Sequence, residues 1–249
     1  SFKKPWRKAI FLDLILSNIF LSVYDKKKYS YGSIFLNAAA HIQHHYFYSS
    51  KVYDGNQINP SWYCSKKHDP VLEVYKLYDE ILEDFFRKYK QSRIILATGL
   101  SQEPTLKSEF YWRLKNHKNF LREIGISFTK VEPRMSRDFL VSFNDDTSCS
   151  QAEKILTSLE LNSSNFFEVD NRGKSLFVTL IYNQNISKSD ALNNYCRKSV
   201  HPIFKHISLV ALKNGHHNKI GYYLDNNHKN TESSFELKDI FKNIIAHFS

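Results

Sequence analysis

The stretch PVLEVYKLYDEILEDFFRKYKQSRIILATGL, from Pro70 to Leu100, decides the fold that the sequence predicts. Its apolar residues recur at intervals of three and four as far as Tyr89, which predicts a helix that begins after the capping residue Asp69. A continuous apolar run, SRIILAT at Ser92–Thr98, follows and predicts a buried strand. Helix, short linker and buried strand in this order are typical of a parallel α/β sheet.

The same order occurs nearer the N-terminus. The residues Ala9–Tyr24 predict a helix, and Gly32–Asn37 predicts a short buried strand. We therefore expect a three-layer α/β/α sandwich with a mostly parallel sheet. Ligands of such sheets bind outside the carboxyl ends of the strands, which directs attention to Asn37–His45 and Thr98–Glu103.

The pattern changes from Arg137 onward. A strand, a helix and two strands joined by a turn at Asn171–Gly173 predict a small inserted β-α-β-β subdomain at 136–200. The α/β core would then comprise 1–135 and 201–249. The predicted elements here are Phe139–Phe143, Ser150–Leu161, Phe166–Val169 and Leu176–Tyr182. Elsewhere they are helices at Phe110–Glu123 and Glu236–Phe248 and strands at Ile126–Val131, Ile207–Leu212 and Tyr222–Leu224.

Composition narrows the class of protein. The chain has 249 residues, 42% of them apolar, which excludes a disordered chain. Its net charge is 35 − 25 = +10, which suits nucleic acid, an anionic membrane or a phosphate-bearing substrate. The aromatic residues occupy core positions of the predicted elements, and this disfavours nucleic acid. A small anionic substrate is the partner that we expect.

Cysteine usage and hydropathy indicate the cellular compartment and the relation of the chain to a membrane. Three cysteines, far apart and without a CxxC pair, exclude a disulfide framework and a four-cysteine zinc site, and they favour a reducing compartment such as the cytoplasm. The most apolar stretch, Ala9–Val23, is interrupted by Asp13, so no membrane span is predicted. The first residue is Ser1, and we expect the chain to be a piece of a longer protein.

Histidines gather after two predicted strands. His41, His44 and His45 follow Asn37, and His216 and His217 lie in the segment GHHNKIG at 215–221. In a helix His41 and His45 share a face, a spacing that suits one metal ion. Two such clusters at strand ends favour a shared site. Polar loops whose histidines bond the backbone are the alternative.

Other residues contribute weaker signals. Arg134 and Arg137 suit the bidentate binding of an anion, with solvent exposure as the alternative. Gln102 follows a predicted strand and would face a ligand there, or lie in an ordinary turn. The sequence contains no GxGxxG, GxxxxGK[ST], HExxH or GxSxG motif, so dinucleotide, P-loop, zincin and α/β-hydrolase interpretations lose their main supports.

Taken in order, these segments resemble the alkaline phosphatase superfamily, especially its type I phosphodiesterase/nucleotide pyrophosphatase-like branch. Four stretches carry the resemblance: FLNAAAH at 35–41, PVLEVYKLYDEIL at 70–82, IILATGL at 94–100, and GHHNKIG at 215–221 with the helix that follows Phe235. In the family the first ends in D-x-x-x-H, and the third in an Asp-His pair where this chain has Thr98-Gly99. Asn37 stands at the position of the Asp in the D-x-x-x-H motif.

The resemblance implies a hydrolase of phosphate (di)esters or related sulfate esters that uses divalent metal ions, usually zinc. His41 and His217 would be metal ligands, and Asn37 would offer a neutral oxygen in a third ligand position. The nucleophile, a Ser or Thr, would lie upstream of Ser1. From their positions in the sequence rather than from the resemblance, we expect the substrate-binding residues to be His44, His45, Gln102, His216, Arg134 and Arg137. A non-catalytic relative that binds a phosphorylated or sugar-linked ligand is the alternative.

Overall fold

A computed structural model describes residues 4–27, 29–134, 136–227, 234 and 236–248. Phe235, which precedes the predicted last helix, lies outside them. The chain divides into two compact units, Ser1–Leu106 with Asn214–Ser249, and Lys107–Lys213. The subdomain bounds at 136 and 200 stay a prediction.

Six α-helices and twelve β-strands lie within the described ranges. The helices are α1 (Arg7–Lys27), α2 (Ala38–Tyr46), α3 (Pro70–Lys88), α4 (His117–Glu123), α5 (Asp146–Thr157) and α6 (Asp239–Ile245). The strands are β1 (Ile95–Ala97), β2 (Ser101–Leu114), β3 (Lys130–Pro133), β4 (Asp138–Ser142), β5 (Leu159–Leu161), β6 (Ser164–Asn165), β7 (Phe167–Asn171), β8 (Ser175–Leu180), β9 (Ala191–Asn194), β10 (Ser199–Pro202), β11 (Ile207–Asn218) and β12 (Tyr223–Asp225). Among these helices none is both long and apolar enough to cross a membrane.

The predicted three-layer sandwich with a mostly parallel sheet is wrong. The strands form small sheets of two to four members, ordered β1-β12, β2-β11, β3-β4-β8-β7 and β10-β9-β5-β6. The ladders in the first and the last two are antiparallel. The predicted strand at 32–37 has no regular structure, and only Ile95–Ala97 of the apolar run pairs, with β12. Among the ladders whose register the structure describes none is parallel, so these strands contain no β-α-β crossover from which such a sheet could be built.

In the first unit, the prediction for α3 is confirmed. The Asp69 side chain accepts a hydrogen bond from the backbone N–H of Leu72 at 2.9 Å, and Pro70 occupies the first turn. The apolar stripe of α3 packs into a core shared with α2 and the start of α1. That core comprises Trp6, Ala38, Ile42, Tyr46, Cys64, Val71 and Val74.

In the second unit, apolar residues alternate along the central strands. Phe139 and Val141 of β4 pair with Val178 and Leu176 of β8, and all four are buried, as a period of two requires of a half-buried sheet. The turn predicted at 171–173 is confirmed: Gly173 has φ +81°, a conformation that favours glycine.

The helix predicted at Phe110–Glu123 is wrong in its first half. Residues up to Leu114 belong to β2, because Trp112 and Leu114 are buried on alternate positions rather than on a helical stripe. The helix α4 begins only after Asn116, whose side-chain oxygen caps the N–H of Asn119 at 3.0 Å.

His117, at the start of α4, is buried in the core of the second unit. Its ring lies edge-on to Phe139, with centroids 4.9 Å apart, and within the described residues its Nε2 atom has no hydrogen-bond partner. Burial, aided by the charge of Arg113, lowers the pKa of His117 from 6.5 to about 4. The imidazole is therefore neutral in the folded protein.

This burial predicts a loss of stability in acid. The pKa of His117 is lower in the folded state than in the unfolded state. The neutral imidazole therefore contributes fully to the free energy of unfolding above pH 6.5, and this contribution is lost as the pH falls toward about 4. The change is about 3 kcal/mol. Urea unfolding between pH 7 and pH 4 measures this. His117→Gln should flatten the pH dependence, whereas the partly exposed His201→Gln should retain it. An unchanged slope in His117→Gln would contradict the assignment.

Candidate functional site

Helix α2 carries three histidines on the side away from its core. Ala38, Ile42 and Tyr46 recur every four residues and are buried, so His41, His44 and His45 occupy the other faces. Asn37 lies exposed immediately before the helix, and its carbonyl accepts the N–H of His41 at 3.0 Å. The Asn37 side chain makes no capping hydrogen bond.

His44 is the α2 histidine that meets the second histidine segment. Its Nε2 atom lies 3.0 Å from Nε2 of His217, and the ring centroids are 4.7 Å apart. Its Nδ1 atom lies 2.9 Å from the carbonyl oxygen of Gly215. Because a carbonyl only accepts hydrogen bonds, Nδ1 carries the proton, and a neutral His44 therefore presents the lone pair of Nε2 to His217.

Gln102 completes this group of side chains, which we call the imidazole–amide cluster (His44, Gln102 and His217). The amide nitrogen of Gln102 lies 3.2 Å from Nε2 of His44. Its amide oxygen is buried and, in the part of the chain that the structure describes, accepts no hydrogen bond. A buried oxygen without a partner is costly, which marks the amide as a group that a ligand would satisfy.

Gly215 is what allows the two segments to approach. A Cβ atom there would lie 2.7 Å from the carbonyl oxygen of Gln43 and 3.3 Å from the ring of Phe47. Only a residue without a side chain lets the end of β11 pass so close to α2. The sequence indicates this close approach, since the glycine directly precedes His216 and His217.

The opposite side of the same strands carries a carboxylate. Glu103 lies 3.7 Å from Nε2 of His216, and its other oxygen accepts a hydrogen bond from the side-chain amide of Asn218. Successive side chains of a strand point to opposite faces, so this group is separated from the imidazole–amide cluster. Across the described ranges, no three His, Cys, Asp or Glu side chains are grouped as metal ligands.

Two further predicted site residues of the first unit, His41 and His45, also lie on α2, and the ring centroid of His45 is 6.2 Å from that of His44. The ring of His41 packs edge-on against His45, with centroids 4.9 Å apart, and desolvation lowers the pKa of His41 below its ordinary value. Arg134 and Arg137 belong to the second unit. The guanidinium of Arg137 stacks 4.6 Å over the ring of Tyr111.

Asp13, which the sequence analysis noted only as an interruption, anchors the start of α2. Its carboxylate accepts hydrogen bonds from the N–H of Ala38 and from the hydroxyl of Tyr78, both at 2.7 Å. The Tyr78 oxygen accepts the N–H of Ala39 at 3.1 Å. Burial raises the pKa of Tyr78 and Asp13 raises it further, so the hydroxyl stays protonated. The sequence feature that could have indicated this role is a carboxylate within an otherwise apolar helix.

Comparisons of the chain with protein-family models, curated proteins and solved structures find no match. The function is therefore inferred from the geometry of the site.

Removing the Asp13 carboxylate should loosen α2. Asp13→Ala leaves a buried N–H and a half-buried hydroxyl without their acceptor, so we expect a loss of about 3 kcal/mol in unfolding free energy. Asp84→Ala, which removes a partner of Arg87 on the surface of α3, should cost less than about 1 kcal/mol. Urea denaturation followed by circular dichroism measures both. Equal losses would show that Asp13 has no anchoring role.

Proposed function

We propose that this chain is a metal-dependent hydrolase of phosphate (di)esters or related sulfate esters, with the imidazole–amide cluster as its ion-binding site. One observation carries the proposal: two imidazole Nε2 atoms lie 3.0 Å apart while Nδ1 of His44 is held by a backbone carbonyl. Metal-bound histidines commonly donate their second ring N–H to such an oxygen, which fixes the tautomer and the ring orientation.

The donor set of the cluster fits a single divalent ion. Ligand atoms at about 2.0–2.1 Å from a tetrahedral zinc ion lie about 3.3 Å from one another, close to the observed separation of the two Nε2 atoms. The unsatisfied amide oxygen of Gln102 would supply a third donor once the amide turns over, because in the structure its nitrogen is the atom that lies 3.2 Å from Nε2 of His44. Three protein donors leave one position open, which is the arrangement of catalytic zinc sites.

The residues of the cluster have distinct roles in the proposed reaction. An ion held there supplies Lewis-acid polarisation of a phosphoryl or sulfuryl oxygen. His44 and His217 would hold the ion, and Gln102 would hold it through its amide oxygen. The formal net charge of +10 favours the approach of an anionic substrate.

A second candidate is a non-catalytic module that binds a phosphorylated or sugar-linked ligand. The observation that favours it is the separation of Glu103 from the imidazole–amide cluster, where it pairs with His216 on the opposite face. Among the residues that the structure describes, the cluster then has imidazole and amide groups for ligand binding and no carboxylate to act as a general base.

Zinc binding and ester turnover test the proposal. Isothermal titration with zinc should show one site, and His44→Ala or His217→Ala should weaken binding at least tenfold because each removes an imidazole donor. Turnover of bis(4-nitrophenyl) phosphate or 4-nitrophenyl sulfate should fall with the same variants. His201→Ala, a histidine of the second unit, is the matched control.

The outcomes separate the candidates. Zinc binding without turnover of either ester would favour the binding module. Zinc binding that survives both cluster variants but is lost in His41→Ala would move the site to the ligand that the family resemblance implies. Absence of zinc binding by the wild-type protein would remove the proposal.

A further inference from the structure

A group of arginines lies on one face of the second unit. Tyr111 and Arg113 alternate along β2 with the buried Trp112, so their side chains point to the face of the strand that is turned away from the core. The connection between β3 and β4 lies against this face. It is closed by the hydrogen bond that the N–H of Arg134 donates to the carbonyl of Asp138 at 2.9 Å. We call Arg113, Arg134 and Arg137 the arginine cluster.

Three contacts hold the connection against β2. The Nη2 atom of Arg113 donates a hydrogen bond to the carbonyl of Arg134 at 3.2 Å. The hydroxyl oxygens of Tyr111 and Ser136 lie 3.1 Å apart, and the guanidinium of Arg137 lies 4.6 Å from the centroid of the Tyr111 ring. These contacts fix the guanidinium groups of Arg113 and Arg137 in place while most of their N–H donors stay available to a ligand.

The arginine cluster has no carboxylate partner in the part of the chain that the structure describes. None of its three guanidinium groups forms an ion pair there, whereas Arg93 is paired with Asp225. A second sign of unneutralised charge comes from the core. Burial lowers the pKa of His117, and the positive charge of Arg113 lowers it further.

Two carboxylates border the arginine cluster without neutralising it. Asp138 directly follows Arg137, and Glu109 lies two residues before Tyr111 on β2, which places it on the same face of the strand. Within the described ranges neither of them forms an ion pair with an arginine of the cluster. When both are counted, the balance is 3 − 2 = +1, so the surface remains positive.

A phosphate monoester has the charge and the shape that this surface requires. Planar guanidinium groups bind phosphate oxygens through pairs of N–H donors. A phosphate monoester carries about −1.5 to −2 charge at pH 7 and three strong acceptor oxygens, so it can accept hydrogen bonds from Arg113 and Arg137 at once. A carboxylate has one charge and two oxygens and satisfies fewer of these donors.

A nucleic acid fits the same surface less well. Single strands bind proteins through bases that stack on aromatic rings. Here the guanidinium of Arg137 covers one face of Tyr111, and the neighbouring Trp112 is buried. Each backbone phosphate also has one negative charge and two free oxygens, against the three oxygens of a monoester.

We propose that the arginine cluster binds the phosphate group of inorganic phosphate or of a small phosphate monoester, with Arg113 and Arg137 as bidentate donors. Arg134 adds positive charge beside them. The hydroxyls of Tyr111 and Ser136 share one hydrogen bond, which leaves one O–H to donate to the ligand. The site belongs to the second unit and is independent of the imidazole–amide cluster.

Isothermal titration with inorganic phosphate and with phenyl phosphate tests the proposal. It is done at about pH 8, where phosphate carries about two negative charges, and with a chelator that keeps metal out of the imidazole–amide cluster. We expect one site, at which Arg113→Gln and Arg137→Gln each weaken binding at least tenfold. Arg172→Gln is the matched control and should bind as wild type does. Arg172 also stacks on an aromatic ring, 4.7 Å from that of Phe177, but it is paired with Asp170.

Two further variants separate recognition of phosphate from attraction by net charge. Arg137→Lys keeps the charge and loses the planar fork, so it should weaken binding nearly as much as Arg137→Gln does. Glu109→Gln removes a negative charge from the same face of β2 and should strengthen binding severalfold. Equal affinity for the two probes would assign the site to the phosphate group alone, and tighter binding of phenyl phosphate would assign it to a monoester.

NMR spectra of the arginine Nε–H groups report binding directly. Inorganic phosphate should shift the signals of Arg113 and Arg137 and leave that of Arg172 in place. Equal binding by Arg137→Gln and Arg172→Gln, or no binding of either probe by the wild-type protein, would overturn the proposal. Binding of oligothymidylate that depends on Arg137 and that neither phosphate probe displaces would assign the arginines to nucleic acid and also overturn it.

Discussion

The carboxylate of Asp13 joins the three helices on which the first unit depends. It belongs to α1, it accepts the N–H of Ala38 at the start of α2, and it accepts the hydroxyl of Tyr78 on α3. A buried carboxylate without such partners is expensive, so the three helices are stable only in the arrangement that satisfies it. The negative charge also suits the positive end of the α2 dipole.

Two consequences follow from this one contact. The first is the orientation of α2, which turns Ile42 into the core and His44 toward Gly215 and His217. The second is the orientation of α1, whose Asp13 side must face inward and whose apolar side therefore faces out. The proposed ion site and the exposed apolar side of α1 thus share a physical origin.

Local structure was predictable from the sequence wherever neighbouring residues decide it. The cap at Asp69 and the turn that ends at Gly173 are of this kind. The helix prediction for Phe110–Leu114 is wrong because a short aromatic run fits both the helical period of 3.6 and the strand period of two. Distant residues decide that this segment pairs as a strand. The prediction of the sheet order is wrong for the same reason, because pairing partners such as Leu96 and Leu224 are far apart in the chain.

The candidate site shows the same limit. The sequence marks both histidine segments, but the three histidines of α2 lie within about 100° of one another around the helix axis, so spacing alone does not select which ring meets His217. The burial of Ile42 and the hydrogen bonds of Asp13 fix the orientation of α2, and in that orientation His44 is the histidine that contacts His217. The roles of Asp13 and Tyr78 depend on tertiary contacts across 65 residues of chain.

X-ray absorption at the zinc K edge tests most directly the claim that His44 and His217 share one ion. We expect two imidazole ligands per zinc ion in the wild-type protein and one in His217→Ala at saturating zinc. A wild-type spectrum without imidazole scattering, or one that His217→Ala leaves unchanged, would contradict it.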